Sequence, residues 1–263
     1  DCPHEDLYFW LSYLDMDRDY QAVIASIDRE NTYLKAAAMS GTGIRILRQD
    51  PWEMIITFVI SQQKTIPNIR ALVELLSTRY GTRMEIPENL RIPGGPVCYY
   101  TFPSPRQLSY ASLKDLMAMK LGYRAKYIKQ VCDDACEGRL DLPRLAAMDY
   151  SSSLTYLKQF YGIGEKVANC VCLFGLHHID AFPVDTWIKK ILLNQYAPKT
   201  RLPKGLAEAK VYEQLIQRYF SEYKGFAGVM QQYIFYYERE TRRWHSTEPP
   251  MVTVHTIVNH PAD

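Results

Sequence analysis

Apolar residues recur at helical spacing through most of the chain. Asp50-Pro51 carries a cap and a first-turn proline, so the spacing predicts a helix over Trp52–Gln62. Pro67 opens the next segment, where Ile69, Leu72, Leu75 and Leu76 form one stripe and Gly81 supplies a stop. Residues 82–104 hold several Pro and Gly, Pro93-Gly94-Gly95-Pro96 among them, and read as a loop or small hairpin. Ser104-Pro105 restarts a helix and Ser112 caps another. Further helices are predicted over Tyr123–Gly138, Ser152–Phe160, Glu165–Leu176, Asp185–Tyr196, Lys204–Tyr223 and Gly225–Arg243. Met251–Val258 alternates more like a strand. No strand alternates with these helices, which argues against a nucleotide-binding α/β sheet, and the chain reads as all-α.

Composition narrows this little. Of 263 residues, 47% are hydrophobic and 23% charged, ordinary for a globular chain long enough to build one large or two modest helical domains. The net charge of +2 permits nucleic-acid binding without arguing for it, because a basic face can hide within a balanced count. No apolar run approaches the ~20 residues that cross a bilayer, so no membrane partner is expected. The chain opens on Asp1 with no charged-then-apolar leader. That predicts an intracellular protein without a signal peptide, and an upstream segment that is missing. The six cysteines match no zinc template, so no metal ligand set is expected, and all but one read as small buried hydrophobes.

The most informative stretch is Phe160-Tyr161-Gly162-Ile163-Gly164-Glu165-Lys166-Val167-Ala168-Asn169-Cys170. One helix ends, a Gly-x-Gly turn follows, and another helix starts at once. Gly162 and Gly164 let the backbone take positive φ and pass close to another surface. The first turn of the new helix presents free N–H groups and the positive end of its dipole, a place for a phosphate. Taken alone, Gly-x-Gly is as well explained by a plain inter-helix turn. Lys166 stands in that first turn, where the dipole disfavours a cation. It is either a solvated surface lysine or an amine nucleophile able to form a Schiff base. Asp185, in Pro183-Val184-Asp185-Thr186-Trp187, is either an N-cap alone or a cap whose fixed carboxylate also steadies positive charge on a sugar carbon.

The combination of Gly-x-Gly, Lys166, an apolar helix and Pro-Val-Asp185 resembles the helix-hairpin-helix DNA glycosylases with a Gly/Pro-rich loop and a following Asp. Within them it is similar to the 8-oxoguanine DNA glycosylases. Gly43–Pro51, Leu121–Tyr127 and Lys166–Leu173 look like segments of that family and occur in its order. The resemblance implies an all-α fold of two helical subdomains with the active site in the cleft between them. Residues 1–50 and 195–263 would form one, and 51–194, with the hairpin near 153–176, the other. It implies a base-excision enzyme that flips 8-oxoguanine out of duplex DNA and acts as a monomer. Lys166 would attack the sugar C1′, Asp185 would stabilise the charged sugar, and a Schiff base would permit β-elimination. Cys170, Gln231 and Phe235 match the family's base-pocket residues. Gln63, Tyr123 and Arg124 match those that fill the gap in the duplex and read the estranged cytosine. No cofactor is required, although a monovalent cation is expected at the hairpin when DNA is bound.

Several positions depart from the family. Its characterised eukaryotic members have Asn at the position of Gln63, a second cytosine-reading Arg at Asn68, His at Trp187 and Pro at Tyr161. The Asn68 departure weakens the expectation of a strict opposite cytosine, and Trp187 changes one phosphate-side contact. The family's N-terminal β-domain is expected to have no counterpart in these residues. An iron–sulfur cluster of the kind held after the catalytic Asp in other relatives is excluded, because the last cysteine, Cys172, precedes Asp185. Two other readings stand beside this one. An alkylated-base glycosylase keeps the Asp and usually lacks the Lys, and a non-catalytic DNA-binding module needs the glycines but not Lys166 and Asp185 together.

Overall fold

Short polar side chains start most of the helices, each accepting from a backbone N–H that the first turn would otherwise leave unpaired. The computed structural model describes residues 4–203 and 205–245. α1 (His4–Tyr13) is followed by α2 (Tyr20–Ala25), capped by Asp19, and α3 (Thr32–Ser40), capped by Asn31. The pattern of apolar positions predicts none of these three. α4 (Pro51–Ile60) starts as expected, with Asp50 accepting from Glu53 N at 2.8 Å, and α5 (Ile66–Tyr80) stops at Gly81. β1 (Arg83–Glu85) and β2 (Cys98–Tyr100) pair antiparallel, with Met84 opposite Tyr99, which makes the 82–104 region the small hairpin.

α6 (Pro105–Ser109) and α7 (Leu113–Ala118) each open on a capping box, Ser104 with Gln107 and Ser112 with Asp115. α8 (Arg124–Cys136), α9 (Leu142–Ala146), α10 (Tyr150–Leu157) and α11 (Glu165–Phe174) follow. α12 (Thr186–Ile191) runs into a π-helical turn at Leu192–Tyr196, so the predicted Asp185–Tyr196 helix changes its winding halfway. α13 (Glu208–Phe220) is shorter than predicted, and α14 (Ala227–His245) ends the described chain. Lys204 and the strand expected at Met251–Val258 lie outside the described residues.

The chain divides into two compact units, one of residues up to Arg48 and from Cys172 onward, the other Gln49–Val171. The first division lies close to the expected one after residue 50. The second falls inside α11 rather than at 194/195, because α12 packs against α14 and so belongs with the N- and C-terminal segments.

In the first unit α14 lies along α3 and buries Leu34, Ala37, Ala38, Val229, Met230, Tyr233 and Ile234. Leu34, Val229, Met230 and Ile234 each contribute about 1.5–3 kcal/mol on leaving water. Asp15 is fully buried and receives Arg18 Nε at 2.9 Å, Tyr20 Oη at 2.9 Å and Arg48 Nη2 at 3.3 Å, while Arg45 Nη1 donates to its carbonyl at 2.7 Å. A buried carboxylate needs such partners. Beside it, burial pushes the His177 imidazole below its ordinary pKa.

In the second unit α8 packs on α6, α7 and α4 around Ile55, Ile56, Val59, Leu121, Ala125, Ile128 and Val131. Trp52 Nε1 donates to Pro103 O at 2.9 Å and ties the start of α4 to the loop before α6.

One contact fixes the start of α14. Gly228 N donates to Ile179 O at 2.8 Å, and a Cβ on Gly228 would lie 2.5 Å from Ala181 O and 2.8 Å from Ile179 O. Two backbone carbonyls, together with Leu173 Cδ1 at 2.6 Å, occupy that space. Gly228→Ala is therefore expected to lower the unfolding free energy by about 2–3 kcal/mol in urea denaturation. A loss below ~0.5 kcal/mol, the ordinary scatter of surface substitutions, would show that the approach is not tight.

Candidate active site

The turn between α10 and α11 is held by one glycine rather than two. Gly162 has φ +90°, and a Cβ there would lie 2.3 Å from Cγ of Tyr127. Its carbonyl accepts from Gln62 Nε2 at 3.0 Å. Gly164 has no positive φ, and a Cβ there would meet nothing within 4 Å. The expectation of left-handed backbone at both positions therefore holds at Gly162 alone. Gly164 stands directly before α11 and has no side chain with which to cap it. Around the same turn the carbonyls of Lys158, Tyr161 and Ile163 accept no hydrogen bond among the described residues. Tyr161 is 58% exposed, and its ring meets Tyr127 edge-on at 4.8 Å.

Lys166 is half-buried, not a solvated surface lysine. Its Nζ donates to Ser61 Oγ at 3.0 Å and lies 5.1 Å from the centroid of Phe58. The Ser61 hydroxyl in turn donates to Phe58 O at 2.8 Å. Cys170 lies one turn further along α11, on the same face, and is buried. Sequence reasoning finds neither Ser61 nor Phe58, since both sit at the end of an apolar helix far from Lys166 in the chain. α4 is otherwise apolar apart from Glu53 and Thr57, and burial, together with the Asp50 carboxylate, pushes the Glu53 carboxyl up to about 7.

The loop after α4 carries the next predicted residue. Gln63 is exposed with φ +50°, a left-handed conformation that a non-glycine residue adopts only under constraint. The constraint comes from Arg124, which is 4% exposed. Its Nε donates to Gln62 O at 2.7 Å, its Nη2 donates to the same carbonyl, and its Nη1 donates to Leu121 O at 3.2 Å. Arg124 is thus neither a surface cation nor freely available to a base edge. Its guanidinium lies 4.4 Å from the centroid of Tyr123, which is 43% exposed at the start of α8. Asn68 is exposed in the first turn of α5.

The remaining predicted residues lie in the first unit. Asp185 caps α12, Oδ1 accepting from Trp187 N at 2.9 Å and Ile188 N at 2.8 Å. Its Oδ2 accepts no hydrogen bond among the described residues. Trp187 is half-buried, with Lys190 Nζ 6.0 Å from its ring. Gln231 is buried, its Nε2 donating to Pro183 O at 3.1 Å and its Oε1 accepting from Gln232. Phe235 is half-buried one turn further on, 5.4 Å from the Arg239 guanidinium. So Asp185, Gln231 and Phe235 belong to one unit, and Lys166, Cys170, Gln63, Tyr123 and Arg124 to the other. Among the described residues no cluster of His, Cys, Asp and Glu could hold a metal ion, and no helix is long and apolar enough to cross a membrane.

Comparison with known proteins identifies the class. Residues 56–220 match the HhH-GPD superfamily of base excision DNA repair proteins, and residues 2–55 match the N-terminal domain of 8-oxoguanine DNA glycosylases. The chain belongs to the HhH-GPD superfamily, in its 8-oxoguanine DNA glycosylase branch. It is 32% identical to the Clostridium acetobutylicum 8-oxoguanine glycosylase/lyase, solved with double-stranded DNA containing cytosine opposite 8-oxoguanine. That match covers 92% of this chain and 77% of the other, with a TM-score of 0.79. An N-glycosylase/DNA lyase of Saccharomyces cerevisiae is 34% identical over 61% of this chain and 44% of its own length. A probable N-glycosylase/DNA lyase of Methanothermobacter thermautotrophicus is 27% identical over 73% of this chain and 65% of its own. The chain thus spans less than two thirds of the length of these curated relatives. The match over residues 2–55 corrects one expectation, since these residues do have a counterpart in the family's N-terminal domain. The described part of that stretch is helical, α1 to α4, and contains no strand.

The commitments of Arg124 have a measurable consequence. Arg124→Ala removes three donors from two carbonyls, each costing about 1–3 kcal/mol when left unpaired and buried. The variant is expected to lose about 2–4 kcal/mol of unfolding free energy in urea. A residue that served only to read a base would leave stability unchanged.

Proposed function

We propose that this chain is a bifunctional DNA glycosylase and AP lyase that excises 8-oxoguanine from duplex DNA. The observation that carries the reading is the half-buried Lys166 amine in the first turn after the hairpin, held 3.0 Å from Ser61 Oγ in a chain of this family. The lesion nucleotide is flipped out of the stack, since the glycosidic bond cannot be reached within it. The Lys166 nitrogen lone pair forms a bond to C1′ as the bond between C1′ and the base breaks, the electron pair leaving with the base. Asp185 Oδ2, the oxygen not spent on the helix, stabilises the positive charge that develops on the sugar. The nitrogen, now bonded to C1′ and still carrying two protons, loses one. C1′–O4′ then breaks, its electron pair leaves on O4′, which takes up a proton, and the nitrogen lone pair forms the C=N bond of a protonated Schiff base. Removal of a C2′ proton then expels the 3′ phosphate.

Cys170 and Phe235 enclose the flipped purine and Gln231 reads its edge. Gln63 and Tyr123 fill the space it leaves. The backbone N–H groups of Gly162, Gly164 and the first turn of α11, and Trp187, take DNA phosphates. A monovalent cation at the hairpin would neutralise a phosphate there when DNA is bound, and the carbonyls of Lys158, Tyr161 and Ile163, which accept no hydrogen bond among the described residues, are oxygen donors of the kind it takes. No other cofactor enters the reaction. The protein acts inside the cell, as a monomer, on duplex DNA.

Borohydride added during reaction with an 8-oxoguanine duplex is expected to trap a covalent protein–DNA adduct that Lys166→Gln abolishes. Base release without an adduct would overturn the lyase reading and favour the alkylated-base chemistry of relatives without the lysine. Binding without release would leave only a DNA-binding module. Asn68 in place of an arginine, and Arg124 committed to carbonyls, further predict weak opposite-base preference. Excision rates opposite C, T, G and A are expected to agree within about tenfold, less than one bidentate base contact can impose. A rate opposite cytosine about a hundredfold above the others would refute this.

A further inference from the structure

We propose that Ser61 is a positioning residue for Lys166, an inference that rests on reading Lys166 as the Schiff-base nucleophile. Ser61 ends α4, its backbone N donating to Thr57 O at 2.9 Å and its hydroxyl to Phe58 O at 2.8 Å. The single hydroxyl proton is therefore spent, and Oγ faces Lys166 with lone pairs only. Lys166 Nζ donates into one of them at 3.0 Å.

This fixes one substituent of the amine. An amine ready to attack has two N–H bonds and one lone pair at tetrahedral angles. With one N–H anchored on Ser61 and the Phe58 ring 5.1 Å away on another side, few directions remain for the lone pair. A lysine head on a four-carbon stem would otherwise sample many.

The anchor is itself immobile. The next residue, Gln62, receives Arg124 Nε on its carbonyl at 2.7 Å and sends its amide to Gly162 O at 3.0 Å. Ser61 is thus tied to α8 and to the hairpin that starts α11, so its hydroxyl keeps a set position relative to the helix bearing Lys166. A hydroxyl bonded back to the carbonyl three residues earlier is common at a helix end and needs no second partner. The lysine contact is what a purely structural serine lacks.

The test compares Ser61→Thr and Ser61→Val, side chains of equal shape with and without the hydroxyl. Excess enzyme is mixed with an 8-oxoguanine duplex, and base release and borohydride adduct are timed. Affinity is measured separately on a duplex carrying a tetrahydrofuran abasic analogue. Ser61→Val is expected to slow both base release and adduct formation about tenfold while its Kd stays within about twofold of the parent. Ser61→Thr is expected to recover the parent rates to within about threefold. If Ser61→Val is unfolded by circular dichroism, Ser61→Ala takes its place. Parent-like rates in the hydroxyl-free variant, equal losses in Thr and Val, or a slowing matched by lost affinity would each overturn the proposal while leaving the Lys166 reading intact. A parent protein that traps no adduct at all would overturn both.

Discussion

A helix start leaves backbone N–H groups without partners inside the helix, and where those groups find acceptors organises this protein. Asp19, Asn31, Asp50, Ser104, Ser112, Asp141, Asp149 and Asp185 each turn a side-chain oxygen onto such groups. α5, α8 and α13 carry no such side-chain cap, and α11 has none either, because the residue before it is Gly164. Its first turn is left for an acceptor from outside, which in the proposed reaction is a DNA phosphate. At α12 the same need has the opposite result. Asp185 gives one oxygen to two N–H groups, which holds the carboxylate in place and leaves its second oxygen without a hydrogen bond among the described residues. In the proposed reaction the unfilled start would take the anionic strand and the filled one would steady a cationic intermediate.

In the second unit a small set of hydrogen bonds carries this arrangement into the loops. Gln62 O receives Arg124, Gly162 O receives the Gln62 amide, and Ser61 Oγ receives Lys166. Magnitude decides the role of Arg124. Freeing its guanidinium to reach a base would leave two buried carbonyls unpaired at about 1–3 kcal/mol each, comparable with the ~1–3 kcal/mol of discrimination a good base contact provides. The exchange yields little net energy, so in this conformation the arginine fixes the left-handed Gln63 loop. Gln63, Asn68 and Tyr123 around it are exposed.

How much of this was legible in the sequence depends on the range of the interaction. Apart from the short α9, which the sequence pattern does not predict, helices from α4 onward announce themselves through adjacent signals such as Asp50-Pro51, Ser104-Pro105 and a 3.6-residue stripe, and the two-stranded hairpin through its Pro and Gly. α1 to α3 do not. α2 is only six residues long, and the N-terminal segment is ordered around Asp15, whose partner Arg48 lies far along the chain. Asp185 as a cap is local and readable. Lys166 is readable only together with Gly162, Gly164 and Asp185, since each alone has a commoner explanation. Ser61 is not readable, because its partner is 105 residues away. The Arg124 position was legible but its burial was not, because burial depends on how α8 meets the loop after α4. The unit boundary inside α11 was likewise hidden, since α12 joins α14 through tertiary packing.

The helix starts are positioned by steric approach more than by polar attraction. In the second unit Gly162 lies flat against Tyr127, and in the first Gly228 lies against the backbone of Ala181 and Ile179. Each is a place where one added carbon would overlap its neighbour, a repulsion that rises far more steeply with distance than a hydrogen bond weakens. Tyr127 also meets Tyr123 and Tyr161, so the contact that sets the hairpin also braces an exposed aromatic on either side of it. Gly228 stands three residues before Gln231, whose amide binds the carbonyl of Pro183, two residues from Asp185. In both units, then, the spacing between the chemical groups is set by a glycine and a backbone or ring surface. The polar groups could be exchanged for others of similar reach with the spacing kept, whereas a side chain at either glycine would move every group that depends on it.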